Sequence, residues 1–219
     1  MKALIVGGSP EVPSPSLLRK LAGAVDVVVA VDRGLDALLA SGLDCDLFCG
    51  DADTVGPEGL ELVESGSSLR SFEVERYRVD KDATDLELAL DAVRTRWGCV
   101  DVIATCLSGG KPDHFLAALG RLLSWREGSV YLVEDGFTGR LLHDGESWDL
   151  SEFVGRRFSF VPLSASAEVS ERGMRWTLDH ARVELLSDRG IANELDYADA
   201  RITCHSGALG AWVYSSDSR

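Results

Sequence analysis

Apolar and polar positions along this chain follow two rhythms. In the first, apolar runs of strand length recur at Ala3 to Val6, Val25 to Val31, Leu47 to Cys49 and Val100 to Cys106. The run from Val25 to Val31 is almost wholly apolar and β-branched, the signature of a strand covered on both faces. A Gly- and Pro-rich loop is predicted from Gly7 to Pro15, and helices separate the later strands. Leu35 to Ala40 predicts a short one. Asp85 to Trp97 predicts the clearest, because Leu86, Ala89, Leu90, Val93 and Trp97 recur at helical spacing. Thr84 precedes it and Glu87 lies three residues on, the pattern of a capping box. Asp113 to Trp125 predicts another helix. Strand–helix alternation of this kind builds a mostly parallel α/β sheet.

After Ser129 the segments become short and extended. Asp144-Gly145 separates Arg140-Leu141-Leu142 from Ser147-Trp148-Asp149-Leu150, Phe158 to Leu163 predicts a strand, and Asp188-Arg189-Gly190 predicts a turn. Ser206-Gly207 between Arg201-Ile202-Thr203-Cys204 and the run from Leu209 to Tyr214 predicts a hairpin. The expected fold class is therefore α/β, a mostly parallel sheet domain over residues 1–130 followed by a small β-sandwich over residues 131–219.

Composition narrows what such a protein does. The 219 residues are 45% hydrophobic and 26% charged, enough for a sizeable core in one large domain or two small ones. The net charge of -14 argues against a nucleic-acid partner, whose phosphates call for Lys and Arg. It leaves room for a nucleotide if a divalent ion stands between carboxylates and phosphates. Most of the acidic residues are read as solvated surface. Five cysteines without a Cys-x-x-Cys pair argue against a disulfide framework or zinc site and for a reducing, cytoplasmic setting. The opening apolar run is too short for a signal peptide and none approaches a membrane span, so no membrane association is expected.

The candidate chemistry lies in acidic segments at strand or helix ends. Asp32 closes one strand and Asp51-Ala52-Asp53 follows another, while Asp80-Lys81-Asp82-Ala83-Thr84-Asp85 leads into the clearest helix. Gly109-Gly110-Lys111-Pro112-Asp113-His114 opens the next. Ligands of α/β sheets bind beyond the carboxyl ends of the strands, so these segments are expected on one rim. Taken singly, each has an ordinary explanation. Asp-x-Asp occurs in plain turns, Asp32 and Thr84 are good helix caps, and Asp85 suits a helix dipole. The excess of carboxylates beyond what caps need points instead to a hard cation holding phosphates. His114 reads as an orienting or packed residue. Neither a Rossmann fingerprint nor a Walker A sequence is present.

In order and content the four segments resemble those of the thiamine pyrophosphokinase family, whose pattern is Asp-Gly-Gly, Gly-Asp-x-Asp-Ser, Asp-x-Asp-x-Thr-Asp and Gly-Gly-Arg-x-Asp-His. Here they read Asp32-Arg33-Gly34, Gly50-Asp51-Ala52-Asp53-Thr54, Asp80-Lys81-Asp82-Ala83-Thr84-Asp85 and Gly109-Gly110-Lys111-Pro112-Asp113-His114. The later segments Phe160-Val161-Pro162-Leu163-Ser164, Gly173-Met174-Arg175-Trp176-Thr177-Leu178 and Ile191-Ala192-Asn193-Glu194 are similar to family segments as well.

The resemblance implies an α/β domain followed by a β-sandwich in a homodimer, with thiamine between the α/β domain of one subunit and the sandwich of the other. It implies pyrophosphoryl transfer from ATP to the thiamine hydroxyl with Mg2+, releasing AMP. Carried over residue by residue, Asp51, Asp53 and Asp85 face the metal, and Asp113 orients the hydroxyl or acts as base. Lys111 and Thr84 meet phosphate, with Asp32, Gly109 and Gly110 in the nucleotide site. Trp176 and Asn193 lie on the thiamine side, where an aromatic wall suits a cationic ring.

Four positions depart from the family pattern. Arg33 stands for a glycine, Lys81 for a common glutamine, Lys111 for an arginine, and Ala192 for the serine beside Asn193. The exchange at 111 keeps the charge but loses bidentate geometry. The exchange at 192 bears on the acceptor, and keeps open a pyrophosphokinase acting on another alcohol, such as a hydroxymethyl-dihydropterin. A non-catalytic nucleotide-binding protein is the remaining alternative, although none of the four segments has lost its key acid. A nucleotide-sugar transferase would use Asp51-Ala52-Asp53 alone and leave the other acidic segments unexplained.

Overall fold

The computed structural model describes residues 1–65, 71–78, 80 and 82–215. The chain divides into two compact units, Met1–Val130 and Tyr131–Arg219.

The first unit contains β1 (Lys2–Val6), α1 (Pro15–Ala22), β2 (Val27–Val31), α2 (Gly34–Ala40), β3 (Leu47–Gly50), α3 (Pro57–Glu64), β4 (Glu73–Arg76), α4 (Asp85–Trp97), β5 (Asp101–Thr105) and α5 (Pro112–Leu123). The strands are parallel and ordered β5-β1-β2-β3-β4. The chain works outward from β1 to β4 and then returns to pair β5 with β1. Every residue of β2 and β3 is buried, as expected of strands covered on both faces. Helix α4 starts and ends where its periodicity predicts. Thr84 caps it by accepting from the Glu87 amide at 3.2 Å, while the Glu87 carboxylate pairs with Arg121.

Three elements of the first unit go beyond the predicted pattern. Helix α1 begins at Pro15 behind the Ser14 cap, α3 begins at Pro57, and β4 is an edge strand of largely charged sequence.

The second unit contains β7 (Phe137–His143), β8 (Ser147–Asp149), β9 (Arg157–Pro162), β10 (Ser166–Arg172), β11 (Leu178–Glu184), β12 (Asn193–Glu194), β13 (Arg201–Ser206) and β14 (Ala208–Tyr214); β6 (Val130–Glu134) leads into it. Two antiparallel layers form, β12-β9-β14-β7 and β11-β10-β13-β8. Their inward residues, among them Phe158, Phe160, Leu209 and Val213 from one layer and Val169, Ile202, Cys204 and Val183 from the other, make one core.

The predicted hairpin at Ser206-Gly207 is corrected here. Strand β13 pairs with β8 and β10, whereas β14 pairs with β7 and β9, so the chain changes layers at Gly207. Because β7 pairs with β14 and β8 with β13, these four strands form one ribbon bent through a corner. Gly145 and Gly207 supply the bend at φ 78° and 84°. The segment Asp188-Arg189-Gly190 is a 3-10 turn capped by the Ser187 hydroxyl.

Candidate active site

The carboxyl ends of the parallel strands carry unusual backbone. Asp32, Ala52 and Cys106, which follow β2, β3 and β5, have φ of 46°, 66° and 57°. Left-handed conformations are uncommon for residues with a Cβ and concentrate at functional sites. Here they turn the chain sharply off the sheet, so that the residues next in sequence form the rim.

Asp32, Asp51 and Asp85 are brought together by these turns and by the first residue of α4. Each offers a carboxylate oxygen, and these atoms lie within 4.8 Å of one another. Asp51 is buried and the other two are half-buried. Asp32 accepts from the Ala52 amide at 3.3 Å, and its own amide donates to the Cys49 carbonyl at 3.1 Å, joining the ends of β2 and β3. Burial pushes the Asp32 carboxyl up to about 7, and the charge and hydrogen bond of Asp85 push the same way. Glycine is required beside it. A Cβ at Gly50 would lie 1.9 Å from Asp32 Oδ1.

This group differs in membership from the expected metal set of Asp51, Asp53 and Asp85. Asp53 is exposed and lies outside it, its amide donating to Asp51 Oδ1 at 3.2 Å. Asp32, expected on the nucleotide, is inside it.

Lys111, Asp113 and His114 are exposed at the start of α5, which follows β5 on the same edge of the sheet. Gly109 and Gly110 have φ of 86° and 67°, and their α-carbons pack against Glu11 and Pro10, leaving no room for a Cβ. The two glycines thus join the loops after β5 and β1, which also share bonds from the Gly7 and Ser9 amides to the Thr105 and Cys106 carbonyls, both 2.9 Å. Thr84 is exposed and its oxygen caps α4. Arg33 has φ -56°, an ordinary helical value, so no glycine is needed there; the close approach belongs to Gly34, whose Cβ would lie 2.0 Å from the Val6 carbonyl oxygen. Lys81 lies outside the described residues.

In the second unit, Trp176 and Asn193 have different circumstances. Trp176 is 60% exposed. Asn193 is buried, and its amide is fully engaged: Nδ2 donates to the Trp176 carbonyl at 2.7 Å and to Glu171 Oε1 at 3.2 Å. Its Oδ1 accepts from the Trp176 and Glu194 amides at 3.1 and 2.9 Å. Asn193 therefore shapes the segment that presents Trp176. Glu171, which sequence reasoning passed over, is buried behind it, and burial pushes its carboxyl up to about 7 against the pull of Asn193 and Arg189. Ala192 is exposed with φ 62°, its amide donating to the Ser159 hydroxyl at 3.0 Å.

Comparison with known proteins agrees with this anatomy. Residues 18–133 match the family model described as thiamin pyrophosphokinase, catalytic domain, and residues 147–209 match that described as thiamin pyrophosphokinase, vitamin B1 binding domain. The thiamine pyrophosphokinase of Bacillus subtilis (strain 168) is 26% identical over 213 residues, 94% of either chain. Among solved structures, thiamin pyrophosphokinase from Geobacillus thermodenitrificans superposes with a TM-score of 0.82 at 24% identity, covering 100% of this chain and 99% of its own. The Bacillus subtilis structure gives 0.81 at 23% identity over 99% and 100%, and that from Candida albicans 0.80 at 14% over 97% and 89%.

The parallel α/β unit followed by an antiparallel β unit is the fold of these solved structures, and the family matches make the class that of ATP-using transferases. More narrowly, the chain belongs to the thiamin pyrophosphokinase family. Membership carries the activity, thiamine diphosphokinase, with ATP and thiamine as substrates. Among the described residues, no helix is long and apolar enough to cross a membrane.

Proposed function

We propose that Asp32, Asp51 and Asp85 hold the divalent cation, Mg2+, that accompanies ATP. The supporting observation is their mutual approach within 4.8 Å from two strand ends and a helix start. Three carboxylates so close repel one another, which adds to the effect of burial in raising the affinity of Asp32 for a proton. Oxygen donors alone suit a hard cation rather than zinc or copper. Bound there, the cation neutralises charge on the transferred and leaving phosphates.

The chain's own residues do the remaining work. The thiamine hydroxyl oxygen forms a bond to the β-phosphorus of ATP. The bond from that phosphorus to the α,β-bridging oxygen breaks, and its electron pair leaves with AMP. Asp113 orients the hydroxyl or takes its proton. Lys111 places a cation against the phosphates, and the amide end of α4 behind Thr84 favours negative charge. Holding both substrates in line supplies most of the acceleration in such transfers. In this reading the unit of residues 1–130 binds nucleotide and metal and the unit of residues 131–219 binds thiamine against Trp176. Asn193 acts as a positioning residue.

The working form is a homodimer in the cytoplasm, and nucleic acid is no partner for a chain of net charge -14. Large exposed apolar side chains at Leu185, Leu186, Ile191 and Tyr197 of the second unit support self-association.

The test is direct. Purified protein with ATP, Mg2+ and thiamine should yield AMP and thiamine diphosphate, and Asp51→Asn or Asp85→Asn should abolish both without unfolding. AMP formed only with a hydroxymethyl-dihydropterin would move the acceptor to that alcohol. Full turnover in either variant would remove that residue from the cation site.

A further inference from the structure

Behind the segment that presents Trp176 lies a carboxyl group that the four acidic segments do not account for. Glu171 is only 4% exposed, although acidic side chains are almost never fully buried unless paired. It takes an inward position of β10, in line with Ala167 and Val169. Its register partners are Leu178 of β11 and Ile202 of β13, so at this level the strands on either side offer it no charge. Its carboxylate accepts from Asn193 Nδ2 at 3.2 Å, and the same nitrogen lies 3.6 Å from Met174 Sδ. Arg189, on the turn after β11, is the charged group whose field reaches it. An apolar side chain would fill such a position at lower cost, because a buried carboxyl gives up its hydration here for one hydrogen bond. Two hydrogen-bonded steps lead outward from it, first to Asn193 and then to both backbone groups of the exposed Trp176.

We infer that Glu171 is a positioning residue for the acceptor: held behind Trp176 through Asn193, its carboxylate supplies the negative charge that selects a cationic ring over a neutral one of the same shape. This rests on the reading that thiamine binds against Trp176. Thiamine carries a fixed positive charge on its thiazolium ring, and a hydroxymethyl-dihydropterin carries none. An indole at an exposed site attracts such a charge weakly. A carboxylate in the protein interior reaches further, because little water screens it. Charges on the outer side of the segment are largely matched, Arg175 pairing with Glu194 at 2.5 Å and Asp196 at 3.5 Å. Without ligand, burial favours the protonated carboxyl, whose proton affinity rises to about 7. A cation against Trp176 favours the ionised form, so the proton passes to solvent as thiamine binds. The free chain thereby avoids an unpaired buried charge, and the charge forms when a cation is present to meet it. The bound form holds the proton less tightly than the free form. Affinity for thiamine therefore rises with pH through about 7 and levels off above it.

The experiment titrates the full chain calorimetrically at pH 6 and pH 8 with thiamine and with an uncharged analogue in which carbon replaces the thiazolium nitrogen. Repeating each titration in buffers of different ionisation enthalpy counts the protons released. Wild-type protein should bind thiamine about fivefold to tenfold more tightly at pH 8 than at pH 6, as a shift of one to two pKa units requires, and should release a proton near pH 7. Its binding of the analogue should not change with pH. Glu171→Gln keeps an acceptor oxygen for Asn193 but no charge. It should bind thiamine at pH 8 about as weakly as the wild type does at pH 6, release no proton, and bind the analogue like the wild type. The same pH profile and proton count in wild type and Glu171→Gln overturn the inference. So does an equal loss of thiamine and analogue affinity in the variant, which would make Glu171 a matter of shape alone. The wild-type proton count needs no variant, so thiamine binding without proton release near pH 7 overturns the inference even if Glu171→Gln does not fold. Failure of the wild type to bind thiamine at all sinks the proposed acceptor site and this inference with it.

Discussion

Replacing Asn193 by alanine separates two jobs that one residue could hold, touching thiamine or shaping the segment that does. The wild-type amide makes four hydrogen bonds of 2.7 to 3.2 Å, to both backbone groups of Trp176, to the Glu194 amide and to Glu171. At a net value of about 1 kcal/mol each, their sum is about 4 kcal/mol. Trp176 is exposed, so water reaches its backbone once the amide is gone, and the expected loss is about 3 kcal/mol. Urea unfolding followed by the fluorescence of Trp148, Trp176 and Trp212, all in the second unit, reads that loss. KM for thiamine should rise in the same variant, because the segment holding Trp176 loses its anchor. A midpoint shift worth less than about 0.5 kcal/mol, together with a large rise in KM, would refute the scaffolding role and return Asn193 to direct contact with substrate.

Two further outcomes are expected. Glu171 holds a proton in the folded chain up to about pH 7, against an ordinary value of 4.5. The folded state binds more protons than the unfolded state between those values, so this contribution is complete below the lower value and is lost as pH rises through the upper. Urea midpoints should therefore fall from pH 5 to pH 8, and Glu171→Gln, neutral throughout, should flatten that slope; an equally steep slope in the variant would count against it. Gly50→Ala forces a methyl against Asp32 Oδ1, 1.9 Å from the ideal Cβ position, so the carboxylate must leave its place. Turnover should drop by about tenfold to a hundredfold, the usual cost of misplacing groups around a metal. Wild-type kcat and Mg2+ dependence in that variant would show the Asp32 position to be unimportant.

What sequence discloses depends on whether the cause is local. Helix α4 is legible from Thr84 to Trp97 because its apolar stripe and its cap are both written in neighbouring residues. The run of β2 is legible because burial on both faces leaves no polar alternation. Strand β4 reads Glu-Val-Glu-Arg and is largely exposed, so nothing in its periodicity marks it; only pairing with β3 makes it a strand. Helix α1 did carry a local mark, Ser14 followed by Pro15, although it is only eight residues long. Ser206-Gly207 has the composition of a hairpin turn, and the same composition serves a corner between layers, which distant partners decide.

The site shows the same limit. The acids at strand ends announce a rim, but an Asp-Ala-Asp tripeptide does not reveal that Ala52 is left-handed. That turn leaves Asp53 exposed outside the group while Asp32 from the neighbouring strand joins Asp51. The burial of Asn193 and its bonds to Trp176 and Glu171 could not be read from sequence, because they arise in tertiary structure.

The bent ribbon of the second unit has a consequence for binding. Its first corner is fastened by bonds from the Gly145 amide to the Cys204 carbonyl and from the Cys204 amide to the Glu146 carbonyl, 2.8 and 2.9 Å. Its second is fastened by the Ala208 amide to the Ser164 hydroxyl, 2.9 Å. Separating the two layers therefore requires breaking the bonds that fasten both corners. Under the proposed thiamine site, a ligand stacking on Trp176 would meet a segment already held in shape by the buried Asn193 bonds, which would lower the ordering cost of binding.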